Sequence, residues 1–258
     1  MSSSKTDDMK SKGQFGLKYT EDFNIACTIN NLEHEAVLQY FIDRVSFYAF
    51  NGGDVEAVSL WATHIVLDCK RKAGAKVVPV KDKPIQKISL RYIRLLSDLI
   101  NNVHLSTIEK MKESISLMRE WEAEMPPNAE YPTTFFTDQH NSVLLTFDFN
   151  LLCNMNGIVI QQVLQFFIDE ISLPSLRAVP LPETSGSSAS MSFFEMMLMS
   201  RSMKRTKNRE QQEIDELYNE QLLQLDETLK HENDEDRRLT AYRELYTKWY
   251  NSLRKKLN

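Results

Sequence analysis

Residues 23–46, FNIACTINNLEHEAVLQYFIDRVS, return at 149–172 as FNLLCNMNGIVIQQVLQFFIDEIS, 126 positions on and without a gap. Eleven of the 24 positions are identical, among them Phe23/Phe149, Cys27/Cys153, Phe41/Phe167 and Asp43/Asp169. Differences on the apolar side are mostly conservative, as at Tyr40/Phe166 and Val45/Ile171. Such a repeat constrains the fold strongly, because each copy must supply the same elements and bury the same face. Two matching units in one chain are expected to pack across a pseudo-twofold axis, as the halves of a symmetric dimer do.

Within the unit, Phe23, Ile25, Cys27 and Ile29 alternate with Asn24, Ala26, Thr28 and Asn30. Phe149, Leu151, Cys153 and Met155 repeat the apolar side. A period of two predicts a strand with one buried face. Asn30 and Asn156 punctuate the chain, and Val37, Leu38, Phe41, Ile42 and Val45 then fall on one face of a helix. After the first copy, Gly52 and Gly53 are suited to end a helix and Asp54 to cap the next. After the second, the chain runs LPSLRAVPLPETSGSS, so no second helix is expected there directly. The expected fold class is α+β, mainly helical: a duplicated strand–helix unit at 23–46 and 149–172 with a helical C-terminal extension.

Strand, helix, tight turn and helix over about residues 22–72, and in part over 148–172, resembles the ribbon-helix-helix family of DNA-binding proteins, which includes tandem versions in one chain. The resemblance implies that the two strands pair into a ribbon entering the major groove. Asn24, Thr28, Asn150 and Asn154 would then be the outward base readers, since Asn can pair bidentately with adenine.

The net charge of -5 hides a segregated pattern. Residues 70–94 hold nine Lys or Arg and one Asp, whereas residues 95–170 hold eleven acids and three bases. A second basic cluster, RSMKRTKNR at 201–209, has five bases and no acid. Such stretches are the footprint of phosphate contacts. Lys70, Arg71, Lys72, Lys76, Lys81, Lys83 and Lys87, with Arg201, Lys204 and Arg205, are the candidate nucleic-acid contacts. The competing expectation is a solvated loop, or a patch that docks on the chain's own acidic half.

Helical spacing runs through Ile88, Tyr92, Leu95, Leu96, Leu99 and Ile100, breaks near 101–106, and resumes with Ile108, Met111, Ile115, Leu117 and Met118. Ser106 and Glu109 are spaced as a capping box, and Pro126 with Pro127 ends the element. Residues 133–137 and 143–152 read as strands of a hairpin around DQHN. The expected organisation is a tail at 1–20, a duplicated core at 21–172, a Pro/Ser-rich linker at 173–190, and a Met-rich helix with a helical arm at 191–258. Five of the eleven methionines fall within MSFFEMMLMSRSM, expected as core and alternatively as an adaptable partner groove. HENDED at 231–236 divides the arm into two helices, expected to form a hairpin on the body.

Hydrophobic residues make up 42% of the chain and charged residues 26%, which excludes collagen-like or low-complexity sequences. No apolar run approaches the roughly 18 residues of a membrane span, and the N-terminal stretch lacks the apolar core of a signal peptide. Three cysteines without a CxxC point to a reducing, cytoplasmic setting. No zinc spacing, phosphate loop or nucleophile elbow occurs. Cys27 and Cys153 are expected as inert buried thiols, and Asp43 and Asp169 as surface acids paired with a basic neighbour. The expectation is therefore a non-enzymatic binding or regulatory protein without cofactor or metal, acting on nucleic acid or a nucleoprotein assembly through 70–94 and 201–209. The alternative is a protein-interaction scaffold, or homo-oligomer, using the Met-rich helix and the C-terminal arm. No membrane partner is expected.

Overall fold

The computed structural model describes residues 16–50, 56–72, 82–179, 188–200, 203 and 206–257. These residues form α1 (Glu21–Ile29), α2 (His34–Arg44), α3 (Phe47–Phe50), α4 (Ala57–Lys72), α5 (Lys83–Asn101) and α6 (Thr107–Glu124). A small hairpin, β1 (Thr134–Phe136) and β2 (Ser142–Leu144), leads into α7 (Phe147–Asn156), α8 (Ile160–Asp169), α9 (Leu173–Ala178) and α10 (Ala189–Met199). Two long helices, α11 (Arg209–Thr228) and α12 (Glu235–Leu257), complete the fold. The protein is mainly helical, with one two-stranded antiparallel sheet among the described residues. Gly52, Gly53, Asp54 and residues 180–187 of the expected linker lie outside the described residues.

The stretches expected as strands, 23–29 and 149–155, are helices. Each starts on a threonine, whose Oγ1 accepts a backbone N–H three residues on: Phe23 to Thr20 at 3.1 Å and Phe149 to Thr146 at 3.3 Å. Acidic residues fill both first turns, where the helix dipole favours them. The alternation that mimics a strand has a physical cause. Phe23, Ala26 and Cys27 face the main core, whereas Ile25 and Ile29 face a second core beneath the C-terminal helices. Two buried faces on one helix superimpose into an apparent period of two. β2 likewise stops at Leu144, and residues 147–152 of the expected strand belong to α7.

Residues 126 positions apart make the same contacts. Asn31 and Gly157 both take left-handed backbone angles, with φ of 53° and 65°. The N–H groups that follow, of Leu32 and Ile158, reach back to the Cys27 and Cys153 carbonyls, each at 2.9 Å. Asn30 Nδ2 donates to the Ala26 carbonyl at 2.8 Å and Asn156 Nδ2 to that of Leu152 at 2.9 Å. Gln39 and Gln165 each donate to an acid four residues on, Asp43 and Asp169, both at 2.8 Å. Glutamine, not a base, is thus the partner of these exposed aspartates. Ser46 and Ser172 each accept an N–H three residues on, from Ala49 and Ser175, at 3.2 Å. Ser172 starts α9 with Pro174 in its first turn, a favoured place for proline, so the second copy does continue into a helix where linker was expected.

The two similar stretches are also locked together reciprocally. Gln39 accepts the Leu144 N–H at 2.8 Å and donates to the Leu144 carbonyl at 3.1 Å. Gln165 makes the same two bonds with Lys18, both at 2.8 Å, and Lys18 stands 126 positions before Leu144. Phe41 and Phe167 stack on each other with centroids 4.5 Å apart, and each meets the other copy's helix edge-on, at Phe149 and Phe23. Phe193 of α10 closes against both rings. Met191, Phe193, Phe194 and Met197 are buried there, so the Met-rich helix is mainly core, as expected.

α5 with α6, and α11 with α12, form two helical hairpins. The Ser106–Glu109 capping box is present, and α6 runs into a single 3₁₀ turn at Pro126–Asn128. α12 packs on α9 and α1, burying Tyr242, Tyr246, Trp249 and Leu253. Beneath it Asp215 accepts the Trp249 indole N–H at 2.9 Å and is ion-paired with Lys207.

Candidate nucleic-acid interface

α4 ends on Lys70, Arg71 and Lys72, all exposed. Three bases in a last turn also complement the negative end of the helix dipole, so part of their presence is structural. Lys70 Nζ donates to Asn156 Oδ1 at 3.3 Å, and Arg71 pairs with Asp68 at 2.5 Å. α5 starts on Asp82, which accepts the Ile85 N–H at 3.2 Å, with Pro84 in the first turn. Its inner face buries Ile85, Ile88, Ser89 and Tyr92. The intervening positions Lys83, Lys87, Arg91 and Arg94, spaced four, four and three apart, are exposed along the opposite side. At 1.5 Å per residue the stripe is roughly 16 Å long.

The end of α7 holds both basic elements. Lys70 reaches Asn156, and Ser89 Oγ lies 3.9 Å from the neighbouring Met155 Sδ. Arg91 is already engaged: its guanidinium lies 4.8 Å from the centre of the Tyr92 ring and pairs with Glu124, which also accepts the Tyr92 hydroxyl at 2.9 Å. Lys72, Lys83, Lys87 and Arg94 form no ion pair among the described residues. They are the cations a phosphate could engage without breaking an existing pair.

The other expected site residues divide into two groups. Lys76, Lys81, Arg201, Lys204 and Arg205 lie outside the described residues. Of the second cluster's remaining bases, Lys207 is bound to Asp215 and to the Ile29 carbonyl, and Arg209 to Glu213 at 2.9 Å. Asn24, Thr28, Asn150 and Asn154 all stand on helices, not on a ribbon. Asn150 is buried and donates to the Pro132 and Thr146 carbonyls, each at 3.0 Å, a bracing role that leaves nothing for a base. Asn24, Thr28 and Asn154 are half-buried.

The sequence reading missed one surface. Leu95, Ile100, Ile108 and Met111, which carry the helical spacing of the sequence, are exposed on the α5–α6 hairpin, together with Leu90, Ile93 and Val103. Their helical spacing is plain in the chain, but spacing alone does not say whether a face is covered.

Elsewhere, reactive groups are subdued by burial. It pushes the Cys27 and Cys153 thiols up, and that of Cys69 up to about 11. Burial against Tyr19 and Phe23 lowers the His34 imidazole, with nearby Glu35 and Glu33 opposing. Among the described residues no cluster of three His, Cys, Asp or Glu could hold a metal ion. No single described helix is long and apolar enough to cross a membrane. No protein-family model, curated protein or solved structure matches the chain.

Proposed function

We propose that this is a non-enzymatic binding protein that contacts nucleic acid, or the nucleic acid of a nucleoprotein assembly, through its 70–94 segment. One observation carries the reading: Lys83, Lys87 and Arg94 are exposed in line on α5, unpaired among the described residues, with Lys70–Lys72 anchored at the same end of α7. A row of cations on a rigid helix suits a phosphate backbone and needs no base contact. The 201–209 segment is a lesser contributor, because Lys207 and Arg209 are spent on internal acids. The scaffold alternative loses two of its surfaces, since α10 is core and α12 is packed on α9 and α1.

The same reading takes the chain as a duplicated unit of helix–turn–helix form, supported by the matched bonds 126 residues apart. A cytoplasmic setting goes with it, in keeping with three unpaired thiols.

Fluorescence anisotropy with random duplex DNA across a salt series tests the function. Four uncommitted bases give a log–log slope of about -3.6, and all seven bases from Lys70 to Arg94 in described positions give about -6. Lys83→Gln with Lys87→Gln should flatten the slope by about 1.8. Absence of binding at low salt, or binding indifferent to salt, would rule the reading out.

A further inference from the structure

The acidic counterpart of the α5 stripe is present on the same chain. α5 and α11 are equivalent helices. Asp82 and Asn208, 126 positions apart, cap them by accepting N–H groups three residues on. Tyr92 and Tyr218, again 126 apart, stack at 6° on Trp121 and Trp249, with centroids 5.7 and 5.8 Å apart. Their outer faces carry opposite charge at matched positions: Lys87 answers to Glu213, and Arg94 to Glu220. α5 as a whole has four bases and one acid, whereas α11 has seven acids and one base. Apolar side chains flank both charged faces. Leu90 and Ile93 on α5 are 55% and 47% exposed, and Leu217 and Leu223 on α11 are 52% and 67% exposed.

The C-terminal hairpin also serves as an internal control. Where α5 exposes Leu90 and Ile93, the equivalent positions of α11 are Glu216 and Asn219. The fold at this site therefore accepts polar residues, and the apolar ones on α5 are not imposed by packing within the chain. An exposed apolar face bordered by charge is the composition of a protein contact.

We propose that the chain self-associates, with the basic outer face of α5 in one copy lying on the acidic outer face of α11 in a second. Lys87 and Arg94 would meet Glu213, Glu216 and Glu220 across the contact, and Leu90 and Ile93 would cover Leu217 and Leu223. Among the described residues Glu213 is held only by Arg209, in a pair whose side chains are 61% and 91% exposed, a contact that solvent screens and a partner base can replace. This inference does not depend on the nucleic-acid reading. Where both hold, α11 competes with phosphate for the same stripe.

Sedimentation velocity of the full chain over a range of concentrations at low salt provides the test. The wild type should sediment as species heavier than the 30.0 kDa monomer and return to monomer at high salt. Lys87→Glu with Arg94→Glu should be monomeric, as should Glu213→Lys with Glu220→Lys. Mixed one to one, these two variants should associate again, because every α5–α11 contact between them is then complementary. Circular dichroism melts matching the wild type establish that the variants are folded. A wild type that stays monomeric at the highest soluble concentration at low salt overturns the proposal, and so does association unchanged by either reversal or a mixture that remains monomeric. The second variant keeps every base of α5, so its DNA affinity should be at least that of the wild type. Loss of self-association and failure of DNA binding are thereby read separately.

Discussion

Replacing Phe41 with alanine tests whether the two copies of the repeat share one core. Its side chain has no exposed surface and meets three aromatic rings: Phe167 stacked at 4.5 Å, Phe149 at 5.8 Å and Phe193 at 5.7 Å. Phe167 is also fully buried and meets three rings, Phe41, Phe23 at 6.5 Å and the same Phe193 at 5.7 Å. Truncating a buried Phe costs about 3–5 kcal/mol, from lost transfer energy and the cavity left behind. Matched surroundings predict matched losses, so Phe41→Ala and Phe167→Ala should fall within about 1 kcal/mol of each other on that scale. The two rings also stack on one another, so each single variant already forfeits their mutual contact. The double variant should cost less than the sum by about 0.5–1.5 kcal/mol, the worth of an aromatic pair beyond its buried area. Urea unfolding followed by circular dichroism measures all three, with an unchanged m-value showing that the compactness of the denatured chain is unaltered. Because total stabilities of about 5–15 kcal/mol leave little room for the double variant, a parallel Phe→Leu cycle provides the same comparison at smaller loss. Two separate transitions, strongly unequal single losses or strict additivity would each refute a shared core built on this stack.

Further predictions concern polar groups. Gln39→Ala and Gln165→Ala should each cost about 1 kcal/mol, since water compensates part of the loss at these partly exposed sites, and should speed amide exchange at Leu144 and Lys18 respectively. Exchange at those two amides left unchanged would remove the reciprocal clamp. Burial holds the Asp148 carboxyl above its ordinary value, with the Phe47 N–H bond at 2.8 Å opposing. An acid with a raised folded value binds its proton more tightly in the native state, so stability falls as pH rises from about 3.9 through that folded value, and neutral pH bears the full penalty. Asp148→Asn retains an oxygen acceptor for Phe47, so it should be more stable than wild type at neutral pH, with the advantage shrinking in acid. A variant less stable at neutral pH contradicts this. Asp215→Ala leaves the Trp249 indole N–H without its acceptor and Lys207 with only the Ile29 carbonyl, and thermal melts followed by tryptophan fluorescence should show a loss of about 2–4 kcal/mol. A loss no larger than that of Lys207→Met would place the stabilisation elsewhere.

Much of the architecture was legible where one face of a helix is buried and the other is not. The α5–α6 break, the Ser106–Glu109 box and the division of the C-terminal arm all follow from period and capping chemistry. α1 and α7 were misread because helices covered on two sides lose their polar stripe. The repeat was visible over 24 residues, yet the matched contacts extend to Tyr92 and Tyr218, where α5 and α11 share only scattered letters such as Ile88/Ile214, Tyr92/Tyr218 and Leu96/Leu222. The basic stripe was legible as composition. Its alignment on one exposed face and the Glu124 that already occupies Arg91 depend on packing, whereas Asp68 stands three residues before Arg71 on one helix.

The crossed glutamines and the Phe41–Phe167 stack also set an order of events at the ribosome. The first copy cannot close its core until the second, 126 residues later, has been made. At about 5–20 residues per second that interval is roughly 6–25 s, during which Phe23 and Phe41 lack the Phe149 and Phe167 rings that cover them in the finished core. A nascent chain in that state is open to capture by chaperones. It is equally open to the first copy of a neighbouring nascent chain, whose helices carry much the same apolar face as the missing half.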